Sequence, residues 1–172
     1  MRTVFGLIVT ALLCVSCSKE NPIESQETKI EAYIKSRMNS DKDLKLSKSG
    51  AVCYLSKSGD TTVNLANGDS VYFYYRAALL TDTARYFDTN ERARAEGLGM
   101  NLEGRSFDPA GVIVGRNNLL EGLGRGLQMA HPNDLGEIVF NSDYGFGGKP
   151  NGIVPANAPL IYKIRIVRVT KN

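Results

Sequence analysis

Few residues in this chain of 172 are equipped to make or break bonds. His131 is the single histidine and precedes Pro132 in a stretch that reads as a surface loop. A Ser-His-Asp arrangement would depend on that one side chain, and zinc sites of the common His-rich kind are excluded. Gly145-Phe146-Gly147-Gly148-Lys149-Pro150 resembles a phosphate-cradling loop only superficially. Pro150 follows the lysine where Ser or Thr is needed, and Asp143 replaces the leading glycine. Cys53, inside Ala51-Val52-Cys53-Tyr54-Leu55, has the setting of a small buried hydrophobe. What remains is a carboxylate behind two aromatics, Tyr86-Phe87-Asp88, which alone would be an ordinary strand-end residue, and a broad supply of apolar side chains.

The elements that would position these residues are clearest at the C-terminus. Leu160, Tyr162, Ile164 and Ile166 alternate with Ile161, Lys163, Arg165 and Val167, the period of a strand with one face buried. The Gly/Pro-rich run before it, ending in Ile153-Val154-Pro155, can be neither helix nor ladder. Leu119 to Gln128 reads as a short helix ended by His131-Pro132. Its glycines would weaken an exposed helix by up to about 1 kcal/mol each, so it is expected to press closely on a sheet. Val71 to Leu80 reads as a strand with Val71, Phe73 and Tyr75 on one face and Tyr72, Tyr74 and Arg76 on the other. Ala51 to Ser56 and Val112 to Gly115 read as further strands. Between Thr89 and Pro109 the pattern weakens to one or two helical turns over Glu91–Glu96, with Asn90 as cap and Gly97 as stop.

The N-terminus is organised differently. Arg2 precedes an apolar run from Val4 to Val15, too short to span a bilayer but suited to a signal peptide over residues 1–16. Ser16-Cys17 followed by polar residues resembles a bacterial lipoprotein signal, which would put lipid on Cys17 and leave Cys53 without a disulfide partner. Residues 17–27 then read as a lipidated, flexible tether, in which the polar stretch from Ser18 to Gln26 reaches about 30 Å at roughly 3.3 Å per residue. Thr28-Lys29-Ile30-Glu31 fits a capping box that opens a helical extension over residues 28–50. Ile30, Tyr33, Ile34 and Met38 form one apolar stripe, suited either to packing on the domain or to a homodimer. The net charge of +3 is scattered, with no basic run, which argues against a nucleic-acid partner.

Several of these stretches, taken in order, carry a resemblance. Gly68-Asp69-Ser70-Val71 with the aromatic strand, then Tyr86-Phe87-Asp88, Leu119-Leu120-Glu121-Gly122-Leu123, Asn141-Ser142-Asp143-Tyr144-Gly145-Phe146-Gly147 and Ile153-Val154-Pro155 resemble FKBP-type peptidyl-prolyl isomerases over about Gly68 to Val169. The resemblance implies an α+β fold over residues 51–172, an antiparallel sheet wrapped around one short helix, with the N-terminal helix and lipoprotein tether added. It implies rotation about X-Pro bonds, which needs neither cofactor nor metal. Amide resonance sets that barrier at about 18–20 kcal/mol, and an apolar site favours the twisted, less charge-separated state.

By the same resemblance the pocket falls on nine residues. Phe87, Leu123 and Tyr162 would wall the proline ring, and Leu119 and Leu120 would sit at the helix entrance. Asp88 would face the rotating carbonyl with Tyr75 orienting it, Ile153 would cover the pocket from the loop, and Phe146 would stand at a ligand-binding position. Five positions depart from the family pattern. Leu123 stands for the usual Trp, Phe146 for a Tyr, Tyr162 for a Phe, and Ala110 and Val112 for two aromatics. These departures imply weak binding of macrolide inhibitors and reduced turnover. The implied partners are proline-containing polypeptides and, through the lipid, a membrane of the cell envelope, with assistance to exported proteins as the role. A non-catalytic FKBP-like module that binds peptides is the alternative.

Overall fold

The computed structural model describes residues 22–57, 59–116 and 119–172. The signal segment, Cys17 and the first part of the tether lie outside the described residues. In chain order the elements are α1 (Pro22–Ser40), β1 (Lys45–Ser49), β2 (Val52–Lys57), β3 (Ser70–Leu79), β4 (Asp82–Thr89), α2 (Arg92–Gly97), β5 (Ala110–Ile113), α3 (Glu121–Gln128), β6 (Leu135–Phe140), a 3₁₀ turn (Ser142–Tyr144) and β7 (Leu160–Thr170). Among the described residues the strands form one antiparallel sheet in the order β1-β2-β6-β7-β3-β4, with β5 paired to the first half of β3.

The sheet is buried on both faces. On the inner face Val52, Tyr54, Val71, Phe73, Ile138, Phe140, Leu160, Tyr162, Ile164 and Ile166 pack with Leu123 and Leu127 of α3. On the outer face Cys53, Leu55, Ala78, Val139 and Ile161 pack with Ile30 and Ile34 of α1. The alternation read in β7 is therefore real on the inner side, while Ile161 is buried beneath α1 instead of facing water. Cys53 sits in the same outer core, where burial pushes its thiol pKa up.

α1 begins at Pro22, six residues before the capping box, so residues 22–27 are helix and not tether. Proline suits a first helical turn, where its missing N–H is not needed. The early start is fixed by a contact that no local pattern announces. Gln26 donates from Nε2 to Ser142 Oγ at 3.0 Å and accepts from Ser142 N–H at 2.7 Å, both groups buried. Thr28, read as a cap, instead donates to the Glu24 carbonyl inside the helix. The far end is tied by Tyr33 and Arg37, which both donate to Glu137 of β6 at 3.0 Å. The apolar stripe is thus laid against the sheet, with Tyr33 and Met38 packed at its margin.

Other boundaries also move. β1 pairs with β2, extending the sheet back to Lys45 from the expected start at 51. β3 and β4 form a hairpin through Leu80 and Thr81 in place of the expected connection over Thr81 to Arg85. Asn90 does not cap α2. Its amide accepts from Tyr75 N–H and donates to the Phe73 and Asp108 carbonyls, locking β3 to the segment that leads into β5.

α3 lies close on β6 because it lacks side chains there. A Cβ at Gly122 would fall 2.3 Å from Phe140, and one at Gly126 would fall 2.3 Å from Ile138, whereas Gly124 faces open space. Gly126→Ala is expected to cost about 1–3 kcal/mol by overpacking. Gly124→Ala should gain up to about 1 kcal/mol of helix propensity. Urea denaturation of the two variants checks this, and equal stabilities would mean that the helix does not owe its position to the missing side chains.

Candidate functional site

The antiparallel pairing of β3 with β7 sets Ala77 opposite Tyr162 and Tyr75 opposite Ile164. Because inward side chains alternate along both strands, Tyr75 and Tyr162 become neighbours, with ring centroids 6.0 Å apart. The β3–β4 hairpin brings Phe87 edge-on to Tyr162 at 6.1 Å, and Phe146 stands edge-on to Phe87 at 6.1 Å. Phe140 stacks on Tyr162 at 5.9 Å and supports it from the core. Leu119 and Leu120 lead into α3, and Leu123 follows in its first turn. In the loop before β7, Val154 is buried and bridged to Asn151, which leaves Ile153 at the rim, 49 % exposed.

These segments enclose one cavity of about 800 Å³. Tyr75, Phe87, Asp88, Leu119, Leu120, Leu123, Phe146, Ile153 and Tyr162 all line it, so the structure brings together every pocket residue read from the sequence. Leu123 and Tyr162, each 6 % exposed, form its deep end. Ala110 also lines it, while Val112 is directed into the core.

The polar groups are concentrated on one side. The Tyr75 hydroxyl donates to Asp88 Oδ2 at 2.6 Å, and the Arg105 guanidinium pairs with Asp88 Oδ1. Arg105 also donates to the Thr89 carbonyl at 3.0 Å. Both carboxylate oxygens are therefore engaged, and Asp88 is held in a single orientation beside the cavity. Burial, and then the hydrogen bond to Asp88, pushes the Tyr75 phenol pKa well up, so it stays a donor. Tyr162 is pushed the same way by burial and then by the Asp88 charge.

Sequence reasoning missed the far wall. Leu98, Gly99 and Met100, in the stretch from Thr89 to Pro109 where the sequence pattern weakens, line the cavity, with Leu98 38 % exposed at its mouth. The stretch is pinned by Arg105 and by buried Ala95, and by Arg92 over the Phe107 ring and Arg94 over the Tyr86 ring. Arg105 lies seventeen residues beyond Asp88 and carries no local signal.

Comparison with known proteins identifies the family and agrees with the fold. Residues 61–167 match the family model described as FKBP-type peptidyl-prolyl cis-trans isomerase. The chain is similar to FK506-binding protein 1 of Aspergillus oryzae, 23% identical over 112 residues that cover 60% of this chain and 85% of that protein. Its fold is similar to the crystal structure of FkpA from Escherichia coli, with a TM-score of 0.58 and 17% identity over 86% of this chain. The matched part spans 61% of that solved chain.

Arg105→Gln should release the cavity's far wall without unfolding the sheet. The Arg105–Asp88 pair is about a third exposed, so the loss of stability is expected below about 1 kcal/mol. Amide hydrogen exchange over residues 98–105 should rise while β3 and β7 stay protected. Unchanged exchange there would mean that the wall is held without Arg105.

Proposed function

The chain belongs to the FKBP-type peptidyl-prolyl cis-trans isomerase family, and from that premise we propose that its cavity lowers the barrier to rotation about X-Pro bonds in polypeptides. The reading rests on one observation. Nine residues spread from Tyr75 to Tyr162 converge on a single apolar hollow, with one fixed carboxylate at its edge. Planar X-Pro imides are stabilised by charge separation between nitrogen and oxygen, and twisting removes it. A hollow walled by Phe87, Leu123 and Tyr162 solvates that separated charge poorly and so favours the twisted form. Asp88 adds a negative charge beside the carbonyl oxygen, which opposes the planar form further. Tyr75 and Arg105 hold it in place, and the Leu120 N–H would take a second carbonyl of the bound chain.

The test is a protease-free isomerisation assay on an X-Pro peptide, whose uncatalysed relaxation takes about 10–100 s. The wild-type chain should shorten this relaxation, and a Phe87→Ala/Asp88→Ala variant should return it to the uncatalysed time. Equal, uncatalysed rates for both would leave the second reading, a non-catalytic module that binds extended peptides. Phe146 favours that alternative, because it lacks the hydroxyl with which the usual Tyr holds a ligand, as does Ala110, where an aromatic wall would stand. The same two positions support weak binding of FK506, the ligand that gives the Aspergillus oryzae protein its name.

We place this activity at a membrane surface of the cell envelope, in the folding of exported proteins, with Cys17 carrying lipid after removal of residues 1–16. One acyl chain binds a bilayer only marginally, so a stable anchor needs more than one. Cys17→Ala should move the expressed protein from the membrane to the soluble fraction. Retention in the membrane fraction would rule out attachment through that residue.

A further inference from the structure

Four tyrosines of this chain have phenols displaced upward by burial, and three of their hydroxyls have acceptors. Tyr33 donates to Glu137, Tyr54 to Asp134 and Tyr75 to Asp88. Tyr162 is the exception. It is 6 % exposed, yet its hydroxyl makes no hydrogen bond among the described residues. Nearby Asp88 accepts from Tyr75 and pairs with Arg105, and acts on Tyr162 only through its charge. No side-chain oxygen among the described residues is sealed in the interior without a partner. The hydroxyl therefore opens onto free space, and the cavity that Tyr162 lines lies beside it. A buried donor without a partner calls for a reason, and a donor aimed into a binding cavity has an evident one.

We infer that the Tyr162 hydroxyl is a binding handle for the carbonyl oxygen of the residue preceding proline, and that it makes the cavity hold X-Pro segments more tightly while turning them more slowly. The inference rests on the reading of the cavity as the X-Pro site. In a planar imide the nitrogen lone pair is delocalised, so the carbonyl oxygen is the acceptor on offer. As the bond twists, that oxygen loses charge and the hydrogen bond weakens. An interaction stronger in the ground state than in the transition state raises affinity and lowers turnover. Asp88 and Tyr162 thus act in opposite directions on the same carbonyl, one opposing its charge and the other stabilising it. A phenylalanine at this position would supply the wall without the brake.

The test compares the full chain with Tyr162→Phe, using two peptides. One carries a normal X-Pro amide, and the other carries an alkene isostere in which the carbonyl is replaced and the acceptor is gone. By isothermal titration the substitution should weaken the amide peptide roughly two- to tenfold and leave the isostere unchanged. By exchange NMR on the amide peptide, KM and kcat should both rise. Equal weakening of both peptides would assign the effect to packing and overturn the inference. So would unchanged amide affinity, or a fall in kcat at constant KM, which would place the hydroxyl on the nitrogen of the twisted state. Should the wild-type chain bind neither peptide, the X-Pro reading of the cavity itself fails, a result distinct from each of these.

Discussion

The register between β3 and β7 is the constraint on which the site depends. Ten residues of β3 find partners on β7, from Ser70 opposite Thr170 to Leu79 opposite Leu160. Side chains alternate with a period of two, so a slip of one residue would carry Tyr162, Ile164 and Ile166 to the outer face and bring Ile161, Lys163 and Arg165 inward. Two lysine- and arginine-bearing positions would then face the core. That penalty fixes the register, and the register sets Tyr75 beside Tyr162. The same pairing carries a bulge near Tyr72, after which Arg168 lies over the Tyr72 ring while Ile166 stays in the core.

A hollow in the middle of a core needs walls that cannot collapse into it. Here each wall is anchored from behind. Phe140 stacks on Tyr162, α3 is drawn against β6 at Gly122 and Gly126, and Asn90 ties β3 to the segment before β5 with three hydrogen bonds. α1 acts at longer range, closing the outer face of the same strands so that β6 and β7 are buried on both sides. The electrostatics follow the same division. The inner hollow is apolar, and its single carboxylate is tied by a phenol and a guanidinium that come from different strands and loops. A charge fixed in this way retains its direction when water leaves the site, as preorganised catalysis requires.

Much of this was legible in the sequence because it follows from periodicity. The strict alternation in β3 and β7 identified both strands and their inward faces, and the helical glycines signalled close approach to a sheet. The pocket residues came from a resemblance carried by short motifs in order, since nothing in the spacing of Tyr75, Asp88 and Tyr162 announces that they meet. The rest was hidden for physical reasons. β1, Lys-Leu-Ser-Lys-Ser, has no apolar alternation and is a strand through its pairing with β2. The start of α1 is decided by Gln26 and Ser142, 116 residues apart. Asn90 has the composition of a helix cap, but the β3 backbone offered its amide better partners. Arg105 belongs to an irregular segment whose role depends on where its ends are pinned, and no local rule encodes that.

In the proposed mechanism the hollow between β3, β4, β7 and α3 receives a proline and lets the bond before it turn. Exchange NMR with an isotope-labelled X-Pro peptide tests this most directly, since one experiment reads both contact and rotation. Cis–trans exchange cross-peaks are expected at substoichiometric protein, together with intermolecular contacts from the proline ring to Phe87, Leu123 and Tyr162. Accelerated exchange with the proline contacts located on another surface would contradict it.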